Sequence, residues 1–92
     1  MTRQEDVYTA LKYRVVIDGI GVRCCYNHRG ELHCEDGPAI TYPSGTMCWM
    51  INGDLHREDG PAIVWCNNTH ELYYKSVRYE KSDYDSIIAG IA

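Results

Sequence analysis

An internal repeat restricts what this chain can fold into more than any other feature of its sequence. Residues 30–40 (GELHCEDGPAI) and 53–63 (GDLHREDGPAI) are identical at nine of eleven positions at an offset of 23 residues. Beyond this block Tyr42 aligns with Trp65, so an aromatic residue meets an aromatic residue. Fixed periods of about 20 to 50 residues are typical of folds in which one supersecondary unit stacks on the next. The sequence therefore predicts two similar units packed side by side.

Each unit has the residue pattern of an antiparallel hairpin. Asn52-Gly53 is a dipeptide typical of two-residue hairpin turns, and Asp18-Gly19 is a second such signal upstream. Residues 43–46 and 67–68 predict the other turns. The predicted strands are 13–17, 22–26, 39–42, 47–51, 62–65 and 71–75. The predicted fold class is mostly β, an antiparallel meander of tandem 23-residue hairpin repeats, with a short helix at one or both ends.

Side-chain alternation along the predicted strands assigns their faces. A single hairpin is marginally stable by itself, so the units must share an apolar surface. We expect one continuous apolar ladder formed by Ile40, Tyr42, Met47, Trp49, Ile51, Ile63 and Trp65.

The chain is short enough to form one domain, residues 1–92. We divide it into an N-terminal arm and hairpin (1–25), two hairpin repeats (26–75) and a capping tail (76–92). Spacing of apolar residues allows a short N-terminal helix, and residues 82–85 could cap a final helix that covers an open sheet edge. The apolar residues of these two segments are Val7, Ala10, Leu11, Ile87, Ile88 and Ile91.

The repeat block resembles a known class of hairpin repeat. The residues that carry the likeness are Tyr42, Gly45, Trp49, Asn52, Gly53 and the segment LHREDGPA at 55–62. This pattern is similar to MORN-like repeats, and more closely to the LHREDGPA repeats of small bacteriophage and large-virus proteins, over residues 26–74. The resemblance implies a binding platform, because MORN repeats are not known for catalysis. The chain departs from the pattern at Cys34, where the second unit has Arg57, and it has too few units for a long array.

Composition and charge narrow the classes of function. The net charge of −4 argues against direct nucleic-acid binding, which needs a basic surface, and it permits a basic protein partner. No apolar run is long enough to span a membrane, and the first residues carry no signal peptide, so we expect a cytoplasmic protein. In a reducing compartment the five cysteines are expected to be free thiols.

Cysteine and histidine residues are dense enough to raise the question of zinc. A zinc site needs four ligands in tetrahedral geometry, and the chain has no Cys-x-x-Cys pair. The candidates are Cys24, Cys25, His28, His33, Cys34, Cys48, His56, Cys66 and His70. We expect no metal and no cofactor, with a zinc-stabilised adaptor as the alternative.

Two His-x-x-Asp pairs could orient a general base, His33 with Asp36 and His56 with Asp59. Because the pair recurs in each unit, we interpret these four residues as turn-stabilising parts of the repeat. We expect no enzyme activity, and a small hydrolase that uses a His/Asp pair is the second alternative.

Tyrosine and acidic residues cluster near the C-terminus, a combination suited to contacts with an arginine- or lysine-rich protein. The predicted binding residues are Glu71, Tyr73, Tyr74, Tyr79, Glu80, Asp83, Tyr84 and Asp85. The expected function is a small protein-binding module, a phage-encoded inhibitor of a host defence or nucleic-acid-handling complex (anti-CRISPR or similar) that acts by occlusion. Unpaired hairpin edges would also allow a homodimer.

Overall fold

The computed structural model describes residues 13–91, which form nine short strands and a C-terminal helix. The strands are β1 (Arg14–Ile17), β2 (Arg23–Tyr26), β3 (Ile40–Thr41), β4 (Met47–Cys48), β5 (Met50–Ile51), β6 (Asp54–Leu55), β7 (Ile63–Val64), β8 (His70–Tyr74) and β9 (Val77–Tyr79). The helix is α1 (Lys81–Ile91). The predicted mostly β, antiparallel fold with a C-terminal helix is confirmed. The N-terminal helix considered for Val7, Ala10 and Leu11 lies outside the described residues.

Seven strands form one antiparallel sheet in the order β1-β2-β3-β4-β7-β8-β9, and β5 and β6 form a separate two-stranded ladder. The predicted return strand 47–51 is therefore interrupted at Trp49. The Trp49 amide donates to the carbonyl of Ala62 at 2.7 Å, whereas its own carbonyl accepts from the amide of His56 at 3.1 Å. The chain thus leaves the main sheet at this residue, and β4 pairs with β7 instead of continuing into β5.

Backbone hydrogen bonds recur at the 23-residue offset of the sequence repeat. The Ala39 amide donates to Cys48 at 2.8 Å, and 23 residues on the Ala62 amide donates to Glu71 at 2.9 Å. Three further amide-to-carbonyl bonds recur at the same offset. The bond from Cys34 to Met50 recurs as Arg57 to Tyr73, and the bond from Tyr42 to Thr46 recurs as Trp65 to Thr69. The bond from Gly53 to Leu32 recurs as Ser76 to Leu55. Equal sequence segments therefore make equal backbone contacts.

The turn before β9 has the same backbone form as the Asn52-Gly53 turn. Both residues of each turn have positive φ, 49° and 86° at Asn52 and Gly53, and 50° and 70° at Lys75 and Ser76. This left-handed form is unfavourable for residues with a Cβ, so such turns usually contain Asn, Asp or Gly. A turn made of Lys and Ser therefore gives no recognisable signal in the sequence. Strand β9 was not predicted for that reason.

A histidine of each repeat block holds one of these turns. His33 Nδ1 accepts from the amide of Asn52 at 2.9 Å, and His56 Nδ1 accepts from the amide of Lys75 at 2.9 Å. The other ring nitrogen, Nε2, lies 3.2 Å from Glu35 and 3.1 Å from Glu58, respectively. Because Nδ1 accepts, the neutral ring carries its proton on Nε2 and donates it to the carboxylate.

The buried core is not the expected continuous apolar ladder, although Ile63 of that ladder is buried. Tyr42 and Trp65 are 38% and 40% exposed, and Met47 pairs with Thr41 and Val64 on the face opposite Ile40 and Ile63, so the ladder prediction is wrong at these three positions. The buried apolar residues are Cys25, Cys34, Ala39, Ala62, Ile63 and Tyr84. Tyr13, Val15, Leu32 and Met50 pack against Cys25, Cys34 and Ala39.

Helix α1 packs against β8, and Tyr84 is its one buried residue, with Ile87 and Ile88 half-buried. The helix begins one residue before the predicted cap at Ser82, and Asp83 lies in its first turn, where a negative charge is favourable. Within residues 13–91 no helix has the length and apolar character needed to cross a bilayer.

We predict that His33→Ala costs about 1–3 kcal/mol of unfolding free energy and His56→Ala about 0.5–1.5 kcal/mol. Each change leaves a turn amide without its acceptor, and the amide of Asn52 lies in the more buried site. Urea denaturation would measure both values. His70→Ala, at the exposed first residue of β8, is the control, expected within about 0.5 kcal/mol of the unsubstituted protein. Equal small effects for all three variants would contradict the role of the repeat histidines.

Candidate functional site

A cleft of about 720 Å³ opens between the two loops that carry the repeated Glu-Asp-Gly-Pro sequence. We call residues 35–38 loop A, residues 58–61 loop B, and the space between them the acidic cleft. The acidic cleft is lined by Cys34, Glu35, Asp36, Gly37, Trp49, Ile51, His56, Arg57, Glu58 and Asp59. All four members of the two predicted His/Asp pairs lie at or beside it, because His33 bonds to Glu35 of loop A.

Tyrosine hydroxyls from outside the repeats hold both loops. The Tyr13 hydroxyl accepts from the amide of Glu35 at 3.0 Å. The Tyr84 hydroxyl accepts from the amide of Gly60 at 3.3 Å and lies within hydrogen-bond distance of the carbonyls of Gly60 and Arg57, to one of which it donates. Burial raises the pKa of both tyrosines, so the hydroxyls stay protonated at neutral pH. Tyr13, at the start of the described chain, thus holds loop A, and Tyr84, near its end, holds loop B.

The charge of the acidic cleft is strongly negative. Its lining contains four carboxylates, Glu35, Asp36, Glu58 and Asp59, and one guanidinium, so its formal charge is −3 with His56 neutral. The side chains of Glu35, Glu58 and Asp59 are 72%, 57% and 86% exposed. These carboxylates therefore face solvent while each keeps one contact to its own loop.

Arg57 lines the acidic cleft and lies over the ring of Trp49. Its Cζ lies 4.0 Å from the centroid of the Trp49 ring, a cation–π contact. Its Nε donates to Asp59 at 2.9 Å, and an Nη donates to the carbonyl of Pro61 at 3.0 Å. An aromatic face, a carboxylate and a carbonyl together satisfy one guanidinium.

Loop A lacks this arrangement. Cys34 stands where loop B has Arg57, and its thiol donates to Asp36 at 3.1 Å. Cys25 stands where the second unit has Trp49: the Cys25 carbonyl accepts from His33, as the Trp49 carbonyl accepts from His56. Two small thiols thus replace a stacked aromatic ring and guanidinium, and only loop B has its own cation.

The Cys34 thiol is a poor nucleophile. Burial, together with the hydrogen bond to Asp36, raises its pKa to about 12. The reactive thiolate form is therefore scarce at neutral pH, although His33 is its neighbour in sequence.

Within residues 13–91, no three His, Cys, Asp or Glu side chains are close enough to hold a metal ion. The cysteines considered for zinc are free thiols at different depths: Cys25 and Cys34 are buried, Cys24 and Cys48 are half-buried and Cys66 is exposed. His33 and His56 use both ring nitrogens in the contacts to turns and carboxylates. The described fold does not bring the zinc candidates together.

The predicted C-terminal binding residues do not form one surface. Tyr73 donates to Glu71 at 3.2 Å on one side of β8, whereas the ring of Tyr74 lies 4.7 Å from the ring of His56 on the other side. The Glu71 carboxylate also accepts from Trp65 at 2.7 Å. Tyr79 is half-buried on β9, and three exposed acids, Glu80, Asp83 and Asp85, lie at and beyond the start of α1.

Tyr84 belongs to the fold and not to an exposed surface. Its side chain is 4% exposed, and its hydroxyl contacts loop B. The prediction of a partner contact for this residue is therefore replaced by a positioning role within the chain. Of the residues chosen as repeat scaffold, Asp36 and Asp59 are exposed on the acidic cleft instead.

Sequence reasoning missed the acidic cleft although a signal for it was present. Glu-Asp recurs after 23 residues, and stacked units place equivalent loops side by side. Two copies of the same acidic pair must then lie near each other. The contact between Arg57 and Trp49 has no local sequence signature, because Trp49 lies outside the repeated block 53–63 that contains Arg57.

No protein-family model matches the chain, and comparisons with curated proteins and with solved structures give no significant match.

We predict that Tyr84→Phe lowers the unfolding free energy by about 1 kcal/mol, because loop B loses its hydroxyl partner while the ring stays buried. Tyr42→Phe, at an exposed position, is the control and should stay within about 0.5 kcal/mol. Chemical denaturation of both variants measures the difference. Equal stabilities would show that the hydroxyl does not hold the loop.

We predict that Cys34 weakens the fold at alkaline pH. The unfolded thiol ionises near its ordinary pKa of 9.0, whereas the folded thiol stays protonated up to about 12. Because the folded pKa is raised, this contribution to stability is complete below pH 9 and is lost as the pH rises toward 12. Between pH 7 and pH 10 the unfolding free energy should therefore decrease more for the unsubstituted protein than for Cys34→Ser. Cys66→Ser, at an exposed thiol, should retain the larger loss, and identical losses in all three proteins would refute the effect.

Proposed function

We propose that this chain is a non-catalytic protein-binding module whose acidic cleft receives a basic segment of a partner protein. The observation that supports the proposal best is the position of Trp49 among four solvent-facing carboxylates contributed by two facing loops. Aromatic residues in concave sites are frequent binding hot spots, and carboxylates around them attract lysine and arginine. A cleft of this size suits a few side chains of a peptide segment.

Electrostatics favour a protein partner with a basic surface. Four carboxylates line one cleft, so their negative potentials add and attract a cation. The net charge of the whole chain is also negative, −4, so the approach of a basic partner is favourable at long range. Salt should weaken such binding, because the contacting carboxylates are exposed.

The histidine contacts favour binding over hydrolysis. A general base needs a ring nitrogen directed at the substrate. In His56 one nitrogen accepts from Lys75 and the other contacts Glu58, which leaves no lone pair for a substrate proton. The Cys34 thiol is held protonated by burial. We therefore propose a role without catalysis.

We further propose that the sheet is assembled from tandem 23-residue hairpin units of the MORN-like kind. The hydrogen bonds that recur at an offset of 23 residues support this assignment. The biological role we propose is that of a phage-encoded inhibitor, of the anti-CRISPR or a similar anti-defence type. It would cover a basic surface with which a host defence or nucleic-acid-handling protein holds nucleic acid. A homodimer through the exposed edge strands β1 and β9 is compatible with this role.

Two variants of equal net charge test the proposal. The cleft variant carries E35Q, D36N, E58Q and D59N, and the control variant carries D54N, E80Q, D83N and D85N. Each raises the formal charge from −4 to 0, and each substitution keeps a hydrogen-bond acceptor in place. We predict that affinity purification from host cells, followed by mass spectrometry, recovers the same basic partner with the unsubstituted and control proteins and loses it with the cleft variant.

Recovery of a partner by the cleft variant but not by the control variant would refute the proposed site and favour the acidic residues near α1. Loss with both variants would show that net charge alone drives binding. Unfolding curves of both variants establish that each is folded. Turnover of a small molecule by the purified protein, lost on His56→Ala, would overturn the non-catalytic role.

A further inference from the structure

We infer that the acidic cleft selects arginine over lysine in a partner protein. Loop B has a guanidinium beside it, that of Arg57, and loop A has none, so a partner's arginine would take the equivalent place at loop A. This inference rests on the proposed function and deepens it by naming the group that is recognised.

Loop B shows what this cleft does with a guanidinium. Arg57 Cζ lies 4.0 Å from the Trp49 centroid, and its Nε and one Nη donate to Asp59 and to the carbonyl of Pro61. A planar guanidinium combines stacking with directed hydrogen bonds, whereas an ammonium group is a strongly hydrated point charge. The chemistry around Arg57 is therefore specific for arginine.

Loop A has the same sequence without the cation. Asp36 lies 23 residues before Asp59 and occupies the equivalent loop position, yet its partner is the thiol of Cys34, a weak donor. The neighbouring Glu35 contacts the ring of His33 and is 72% exposed. Two carboxylates on this wall of the cleft thus face solvent without a guanidinium.

The cysteine also leaves space. A thiol is much smaller than an arginine side chain, and Cys34, Asp36 and Gly37 line the open volume of the cleft. Trp49 and Ile51 provide an apolar surface in the same volume. An arginine that enters from a partner therefore meets the carboxylates of loop A and open volume for its aliphatic stem.

Charge-matched peptides test this selectivity. Hexa-arginine and hexa-lysine are titrated into the full chain, and binding is followed by calorimetry at low and moderate salt. We predict that hexa-arginine binds about tenfold more tightly than hexa-lysine, a difference in the range of a partly desolvated cation–π contact with added hydrogen bonds. D36N should weaken hexa-arginine binding several-fold more than D59N, because Asp59 is already paired with Arg57.

A second pair of variants places the cation in the chain itself. Cys34→Arg supplies loop A with its own guanidinium and should abolish the preference for hexa-arginine. Cys66→Arg makes the same change of charge at an exposed thiol outside the cleft and should preserve it. If Cys34→Arg fails to fold, the comparison of D36N with D59N decides the question, because both positions are exposed.

The outcomes separate the inference from the proposed function. Equal affinities for the two peptides, both lost in the cleft variant, would overturn arginine selectivity and leave the cleft as a general basic-segment site. Equal effects of D36N and D59N would overturn the placement at loop A. Peptide binding unchanged in the cleft variant would overturn the proposed site, and the inference with it.

Discussion

The hydrogen bond from a turn amide to a histidine ring is the contact on which the rest of this structure depends. His33 and His56 each reach 19 residues along the chain to hold a turn whose two central residues have positive φ. A turn of Lys75 and Ser76 is unfavourable locally, so a tertiary contact must stabilise it. The same rings bind the first carboxylate of each acidic loop. One side chain per unit therefore fixes both the hairpin and the loop that borders the cleft.

The parts of the fold that local chemistry encodes could be predicted from the sequence. Asp18-Gly19 predicted the hairpin of β1 and β2, and Asn52-Gly53 predicted the turn that follows β5, whereas β6 was not among the predicted strands. Strand β9 was missed because its turn has no local signal, although the 23-residue offset from Asn52 leads to Lys75. The break at Trp49 depends on carbonyl and amide partners in the next unit, which no local pattern reports.

The acidic cleft was only half visible in the sequence. The histidine and aspartate pairs were recognised as scaffold, but their loops also carry the exposed carboxylates that form the site. The choice of the C-terminal tyrosines treated residues that are adjacent in sequence as neighbours in space. On a strand, successive side chains point to opposite faces, so Tyr73 and Tyr74 are separated by the sheet, and Tyr84 is withdrawn into the packing of α1. The repeat period was the better guide to spatial proximity.

The differences between the two units carry more functional information than their identity. The nine positions that are identical in residues 30–40 and 53–63 accompany equivalent backbone hydrogen bonds in the two segments. The substitution of Cys34 for Arg57, with Cys25 in the place of Trp49, changes the chemistry of one loop without changing its backbone contacts. In loop B the negative charge is partly neutralised and the aromatic ring is covered by a guanidinium. Beside loop A the thiols of Cys25 and Cys34 are buried, and the carboxylates of Glu35 and Asp36 are exposed to solvent. Two segments of nearly identical sequence thereby border one cleft, and of the two described loops only loop B has an arginine beside it.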